Sequence, residues 1–186
     1  LGKSTGIRRM ATGLAGYGVM PLVLGDLKPD YVDMVQALGG QVISLGRGRG
    51  YLNVLDPGEA TEAAMRLTGS ARAAVLADAH GRRLTMVSAL VAILRSSQPT
   101  DREETILDRA LRILDDKYVG VPVLSDLLQV VRDAPEELRI VALDRGDDRR
   151  YRDITENLEA SLIGLTTGGR LGETYSRPTS HPMRRD

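Results

Sequence analysis

The first five residues carry the side chains best suited to phosphate chemistry. Gly2-Lys3-Ser4-Thr5 precedes a segment with helical periodicity, and this order matches the second half of the phosphate-binding loop G-x-x-x-x-G-K-[ST]. In such a loop Lys3 binds the β- and γ-phosphates of ATP, the Ser4 hydroxyl binds Mg²⁺, and Thr5 binds the inner phosphate. Gly2 lets the backbone N–H groups turn toward phosphate oxygens, beside the positive end of the helix dipole. The sequence therefore predicts a site for ATP and Mg²⁺ at its start.

The segments after this loop alternate between helical and extended patterns. Short apolar runs at 21–25, 41–45 and 51–55 are typical of buried parallel strands. Asp26 ends the first run, where α/β proteins place side chains that face a ligand, and we include it among the nucleotide-binding residues. The pattern predicts an α/β fold with a partial P-loop core over 1–58.

The chain changes character after residue 58. Apolar residues recur at helical spacing in several stretches between 84 and 165, and no convincing strand pattern interrupts them. We predict an inserted all-helical subdomain of five or six helices over 59–169. An extended connector back to the core is expected over 170–186, because Pro178 and Pro182 interrupt any helix there.

Several polar residues outside the loop are interpreted as structural. Asp101 and Ser125 stand before helical patterns and are predicted to be N-caps. The two histidines, His80 and His181, are far apart in the sequence and are predicted to lie at the surface. These residues are not expected to form a catalytic site.

Composition limits the classes of function. The 186 residues include 25 basic and 25 acidic ones, so overall charge gives no reason to expect binding to nucleic acid or membranes. A local patch stays open, and Arg47 and Arg49 in a glycine-rich loop are candidates for contact with DNA or another subunit. The chain has no cysteine, which excludes disulfides and thiolate chemistry. No apolar run is long enough to span a membrane, and we expect a soluble cytosolic protein.

Five short motifs occur in the order found in one ATPase family. They are GKST (2–5), VLGDLKPDY (23–31), LGGQVI (38–43), YLNVLDP (51–57) and VPVLSDL (121–127). On these motifs the chain resembles the motor ATPases of conjugation and type IV secretion machines (the TraC/VirB type), a DNA-pumping branch of the P-loop ATPases. The resemblance implies a RecA-like nucleotide-binding core that carries an inserted helical subdomain.

The resemblance also implies a mechanism and partners. The intact protein would hydrolyse ATP with Mg²⁺, form a homo-oligomeric ring of six, and act with secretion-channel components to transfer DNA or protein. It would work in the cytoplasm, peripherally at the inner face of the cell membrane. The sequence lacks the first half of the loop and the Asp-Glu pair that would orient the attacking water. We therefore expect a piece of a longer ATPase that is inactive by itself and holds no catalytic residue.

Two other functions stay open. The chain could be a non-catalytic helical interaction module with a vestigial P-loop, and a magnesium-dependent nucleotide affinity lost on Lys3→Ala would count against that. It could also be a small P-loop phosphotransferase. That enzyme would need arginines converging on the phosphates, and the arginines in this sequence are scattered.

Overall fold

The computed structural model describes residues 2–26, 28–45, 49–166 and 171–180. Nine helices form in these residues, and no helix among them is long and apolar enough to cross a membrane. In chain order they are α1 (Lys3–Ala15), α2 (Val32–Ala37), α3 (Ala60–Met65), α4 (Gly69–Arg95), α5 (Asp101–Lys117), α6 (Leu124–Asp133), α7 (Glu136–Ala142), α8 (Asp148–Thr166) and α9 (Gly172–Tyr175).

The chain divides into two compact units. Unit 1 comprises residues 1–44 with 183–186, and its described part contains α1 and α2. Unit 2 comprises residues 45–182 and contains α3 to α9. No strand or sheet forms in the part of the chain that the structure describes. The predicted α/β fold with a partial RecA-like core is therefore wrong, and the described fold is all-helical.

The run at 21–25 shows why a strand does not form. No backbone–backbone hydrogen bond joins it to another described residue, and Leu22 and Leu24 are 76% and 83% exposed. A strand is held by ladder bonds to a neighbouring strand and by burial of at least one face. An apolar sequence supplies the side chains for burial, but it does not supply the neighbouring strand.

The run at 51–55 is held by the C-terminal segment instead of a sheet. The Leu52 N–H donates to the Thr174 carbonyl at 2.9 Å, and the Ser180 N–H donates to the Tyr51 carbonyl at 3.1 Å. We call this pairing of residues 51–53 with 174–180 the clasp. The chain therefore enters and leaves the helical unit at the same place. Within the predicted connector 170–186, only residues 171–180 lie among the described residues.

Helix α5 shows how the sequence forms the helices of unit 2. Thr100 is the N-cap, one residue before the predicted Asp101: its Oγ1 accepts from the Glu103 N–H at 3.3 Å, and its own N–H donates to the Glu103 carboxylate at 2.8 Å. This reciprocal capping box satisfies two N–H groups at the helix start. Helix α6 likewise begins before the predicted Ser125, with Val123 as its N-cap.

The core of unit 2 is aliphatic. Helix α5 packs against α4, α6 and α7, while α8 packs against α4, α6, α7 and α9. Tyr151 belongs to this core, and its hydroxyl donates to the Val131 carbonyl at 2.8 Å. The fully buried side chains that fill the centre are Leu55, Val87, Val91, Ile106, Leu107, Leu111, Leu124, Leu127, Leu138, Leu158, Leu162 and Leu165.

Candidate functional site

The predicted phosphate loop lies at the beginning of α1. Gly2 is the N-cap, with a φ of 127° that suits glycine and strains other residues. The first hydrogen bond of the helix runs from the Gly6 N–H to the Gly2 carbonyl at 2.9 Å, and no side chain caps this end. The N–H groups of Lys3, Ser4 and Thr5 therefore have no partner within the helix. Together with the helix dipole they make a positive end that suits an anion.

The side chains at this helix end are accessible. Lys3 and Thr5 are exposed and Ser4 is half-buried. Lys3 forms no ion pair with any residue that the structure describes. An ammonium beside a hydroxyl and the N–H groups of a first helical turn has the donors for phosphate and one oxygen ligand for Mg²⁺. Gly2, Lys3, Ser4 and Thr5 thus lie together at one helix end.

Asp26 takes part in the turn that leads into α2. Its Oδ2 accepts a hydrogen bond from the Tyr31 N–H at 3.0 Å, one residue before the helix begins. The side chain is exposed, so its second oxygen stays accessible. A role for Asp26 beside the nucleotide remains a prediction.

Of the four other candidate residues from the sequence, the structure describes two, Arg49 and His80. Arg47 and His181 lie outside the described residues. Arg49 is exposed, and its contact with DNA or another subunit stays a prediction. His80 is buried, with only 8% of its surface exposed, so its predicted surface position is wrong.

His80 belongs to a cluster that sequence reasoning missed, which we call the α4–α5 polar cluster. Its Nε2 lies 2.7 Å from Asp108 Oδ1. Arg83 donates two hydrogen bonds to Asp115, at 2.7 and 2.6 Å, and Arg112 donates to Asp108 at 3.0 Å. Each of these side chains has an oppositely charged or hydrogen-bonding partner, so the arrangement joins the two helices.

The charged groups around Asp108 lower the pKa of its side chain. Partial burial alone would raise the pKa of Asp108, but hydrogen bonds from Arg112 and His80 outweigh it and hold the pKa below its ordinary value. The carboxylate is therefore the stable form in the folded protein. A sequence signal did exist, since His80 and Arg83 share one face of a helix at three-residue spacing. The sequence near these two residues, however, does not show which helix packs against them.

Neither the helix end nor the polar cluster forms a metal-binding group of several ligands. Within residues 2–26, 28–45, 49–166 and 171–180, no set of three or more His, Asp and Glu side chains is placed to hold a metal ion. Magnesium at the start of α1 would thus depend on Ser4 and on the phosphates that it accompanies.

No family model, no curated protein and no solved structure matches the chain.

Proposed function

We propose that the chain binds ATP and Mg²⁺ at residues 2–5, as part of a motor that transfers DNA or protein through a conjugation or type IV secretion channel. The observation that carries nucleotide binding is the Gly-Lys-Ser-Thr sequence at the uncapped, positive start of a 13-residue helix. The motor function rests on the order of the sequence motifs. Since no sheet forms among the described residues, nucleotide binding is proposed from the loop and the helix alone.

Each residue of the loop has a defined part in the proposed complex. Lys3 would bind the outer phosphates, and the Ser4 hydroxyl would bind Mg²⁺ that bridges them. The Thr5 side chain and the free N–H groups of the first turn would bind the inner phosphate. Asp26 would act through the oxygen that Tyr31 does not use. The sequence has no Asp-Glu pair after an apolar run to orient water, so we propose binding without hydrolysis by this chain.

Calorimetric titration with ATP, with and without Mg²⁺, tests the proposal. We expect binding that requires Mg²⁺ and weakens at least about tenfold in Lys3→Ala, a loss of about 1.4 kcal/mol. Lys28→Ala is the matched control, because Lys28 is also an exposed lysine of unit 1 but lies outside the loop. Absence of binding by the unaltered chain, or equal affinity in Lys3→Ala, would show that the loop is not a nucleotide site.

A second candidate is the non-catalytic helical interaction module. It is favoured by the self-contained core of unit 2, which leaves Val119 and Ile140 at the surface, 96% and 65% exposed. Val119 follows α5 and Ile140 lies on α7, and these two helices pack against each other. Exposed apolar surface that is contiguous often marks an interaction site. This function would become the leading one if the titration detected no nucleotide binding.

A further inference from the structure

Asn53 connects three segments of unit 2. It is buried, and its backbone N–H donates to Thr179 Oγ1 in the clasp at 3.0 Å. Its side-chain Nδ2 donates to the Pro122 carbonyl at 2.8 Å, and its Oδ1 accepts from the Leu55 N–H at 3.0 Å. Buried polar groups are stable only when they are hydrogen-bonded in this way. Asn53 therefore joins the clasp to the segment around Pro122.

Pro122 lies in the turn between α5 and α6. We call residues 118–123 the α5–α6 turn. Its side chains Val119 and Val121 are apolar and exposed. No backbone–backbone hydrogen bond joins residues 119–121 to another described residue. The position of the turn therefore depends on the bonds that hold its ends.

The peptide group between Pro122 and Val123 is held from both sides. Its carbonyl accepts from Asn53 Nδ2, and its N–H donates to Asp126 Oδ2, each at 2.8 Å. Because a peptide group is planar, the two bonds together fix one orientation of the whole group. Loss of the Asn53 bond would leave the carbonyl of a buried proline without a partner. The group would then rotate, and the bond of the Val123 N–H would weaken as well.

The clasp is more exposed than the rest of this path. Ser180 is exposed and Thr179 is half-buried, and the Tyr51 N–H donates to Ser180 Oγ at 3.0 Å. Segments that are held by a few solvent-exposed hydrogen bonds open locally, at a lower free energy than global unfolding. When Thr179 leaves, the buried N–H of Asn53 loses its acceptor. Hydration of this N–H would draw Asn53 outward and away from Pro122.

We propose that the clasp controls the α5–α6 turn through Asn53. A closed clasp fixes the peptide group between Pro122 and Val123, and an open clasp releases this group together with the apolar side chains before it. The clasp lies close to both ends of unit 2, so a pull on either flanking segment reaches the clasp before it reaches the helices. A partner would therefore meet Val119 and Val121 in a fixed arrangement only while the clasp is closed.

Amide hydrogen exchange of the whole chain, followed residue by residue by NMR, tests the proposal without nucleotide. Thr179→Val and Ser180→Ala together remove the two hydroxyl groups that accept in the clasp. The Leu52 amide reports opening of the clasp, since it donates to the Thr174 carbonyl. In the double variant we expect about tenfold faster exchange at both Leu52 and Val123, as for one or two lost hydrogen bonds.

The Thr100 amide is a matched reference for the Val123 amide. Both precede a helix, and both donate at 2.8 Å to the carboxylate three residues later, which for Thr100 is that of Glu103. Its exchange should not change in the double variant. Thr105→Val is the control variant, because the Thr105 hydroxyl donates to the Asp101 carbonyl within α5. It should leave the exchange at Val123 unchanged.

Three results would overturn the proposal. Faster exchange at Leu52 with an unchanged Val123 amide would show that the turn does not respond to the clasp. Equal acceleration at Val123 and Thr100 would show that the whole unit is destabilised. Unchanged exchange at Leu52 in the double variant would show that the link between Thr179 and Asn53 does not hold the clasp.

Asn53→Ala tests the middle of the path. It removes the donor to Pro122, so the Val123 amide should exchange faster than in the unaltered chain. The two clasp substitutions should then add no further acceleration at Val123. An additive acceleration would mean that the clasp reaches the turn by another route, against the role proposed for Asn53. The double clasp variant decides the proposal by itself if Asn53→Ala does not fold.

Discussion

Helices α1 and α5 are both regular, but they are stabilised differently. Helix α5 buries seven residues and begins with a capping box, whereas α1 buries none and has no side-chain cap. A 13-residue helix that buries no residue gains little from packing, and helices of this length are marginal in water by themselves because helix nucleation is costly. The stability of unit 2 therefore comes from its core. No residue of α1 or α2 in unit 1 is buried, so packing contributes far less to these two helices than to α5.

The largest effect should come from opening a cavity in the core of unit 2. Leu111 is fully buried in α5, and Leu111→Ala should lower the free energy of unfolding by about 2–5 kcal/mol. Ile7→Ala in α1 removes a side chain that is 53% exposed. This variant should change the free energy of unfolding of unit 2 by less than about 0.5 kcal/mol. Chemical denaturation followed by circular dichroism measures both. A similar loss in the two variants would show that α1 is also stabilised by burial.

The next effect should appear in alkali. Burial raises the pKa of Tyr151 to about 12, and the nearby Asp144 carboxylate adds to the rise. Since a tyrosine in the unfolded chain ionises near about pH 10, the stability that the neutral side chain contributes should be lost as the pH rises from about 10 to about 12. The loss should reach about 2–3 kcal/mol. Tyr151→Phe should lack this dependence in denaturation curves measured at several pH values, and an unchanged dependence would contradict the assignment.

Removing the cap of α5 should have a smaller effect. Thr100→Ala deletes the hydroxyl that accepts the Glu103 N–H and should destabilise unit 2 by about 1 kcal/mol. Thr100→Ser keeps the hydroxyl and should restore most of the stability. Thermal unfolding compares the three proteins, and a serine variant as unstable as the alanine variant would show that the methyl group, not the cap, was responsible.

The smallest effect should appear in acid. Because the pKa of Asp108 is lowered in the folded protein, the stability that its carboxylate contributes is present above the ordinary value of 3.8 and is lost as the pH falls below it. The partial exposure of Asp108 keeps the contribution small. Asp108→Asn should lower stability at pH 6 and show a weaker decline below about pH 4. An equal decline in both proteins would assign the acid sensitivity to other carboxyl groups.

The helices of unit 2 were predictable because their burial is periodic. Leu158, Leu162 and Leu165 recur at helical spacing and are all fully buried in α8. The predicted strands failed because a strand depends on a second segment, and the run at 21–25 has no neighbouring strand among the described residues. Capping was predictable to within a residue or two, since both Asp101 and its neighbour Thr100 suit an N-cap.

The candidate functional residues also differ in how well the sequence predicted their placement. Residues 2–5 are consecutive, so their meeting at one helix end follows from the sequence. The α4–α5 polar cluster joins His80 to Asp108 across 28 positions, and such a pairing depends on how whole helices pack. The burial of His80 was therefore not visible in its own segment, where its neighbours are mostly small or charged.

The clasp holds the two ends of the helical unit next to each other, which suits transfer of this unit into another protein. Tyr51 and Ser180 are joined by backbone and side-chain hydrogen bonds, and the Arg177 guanidinium lies 4.9 Å from the centre of the Tyr51 ring. Asn53 extends this anchorage inward by donating to the Pro122 carbonyl at 2.8 Å. Adjacent ends are what a domain needs for transplantation into a surface loop of another protein, or for circular permutation by a short linker from residue 180 to residue 51.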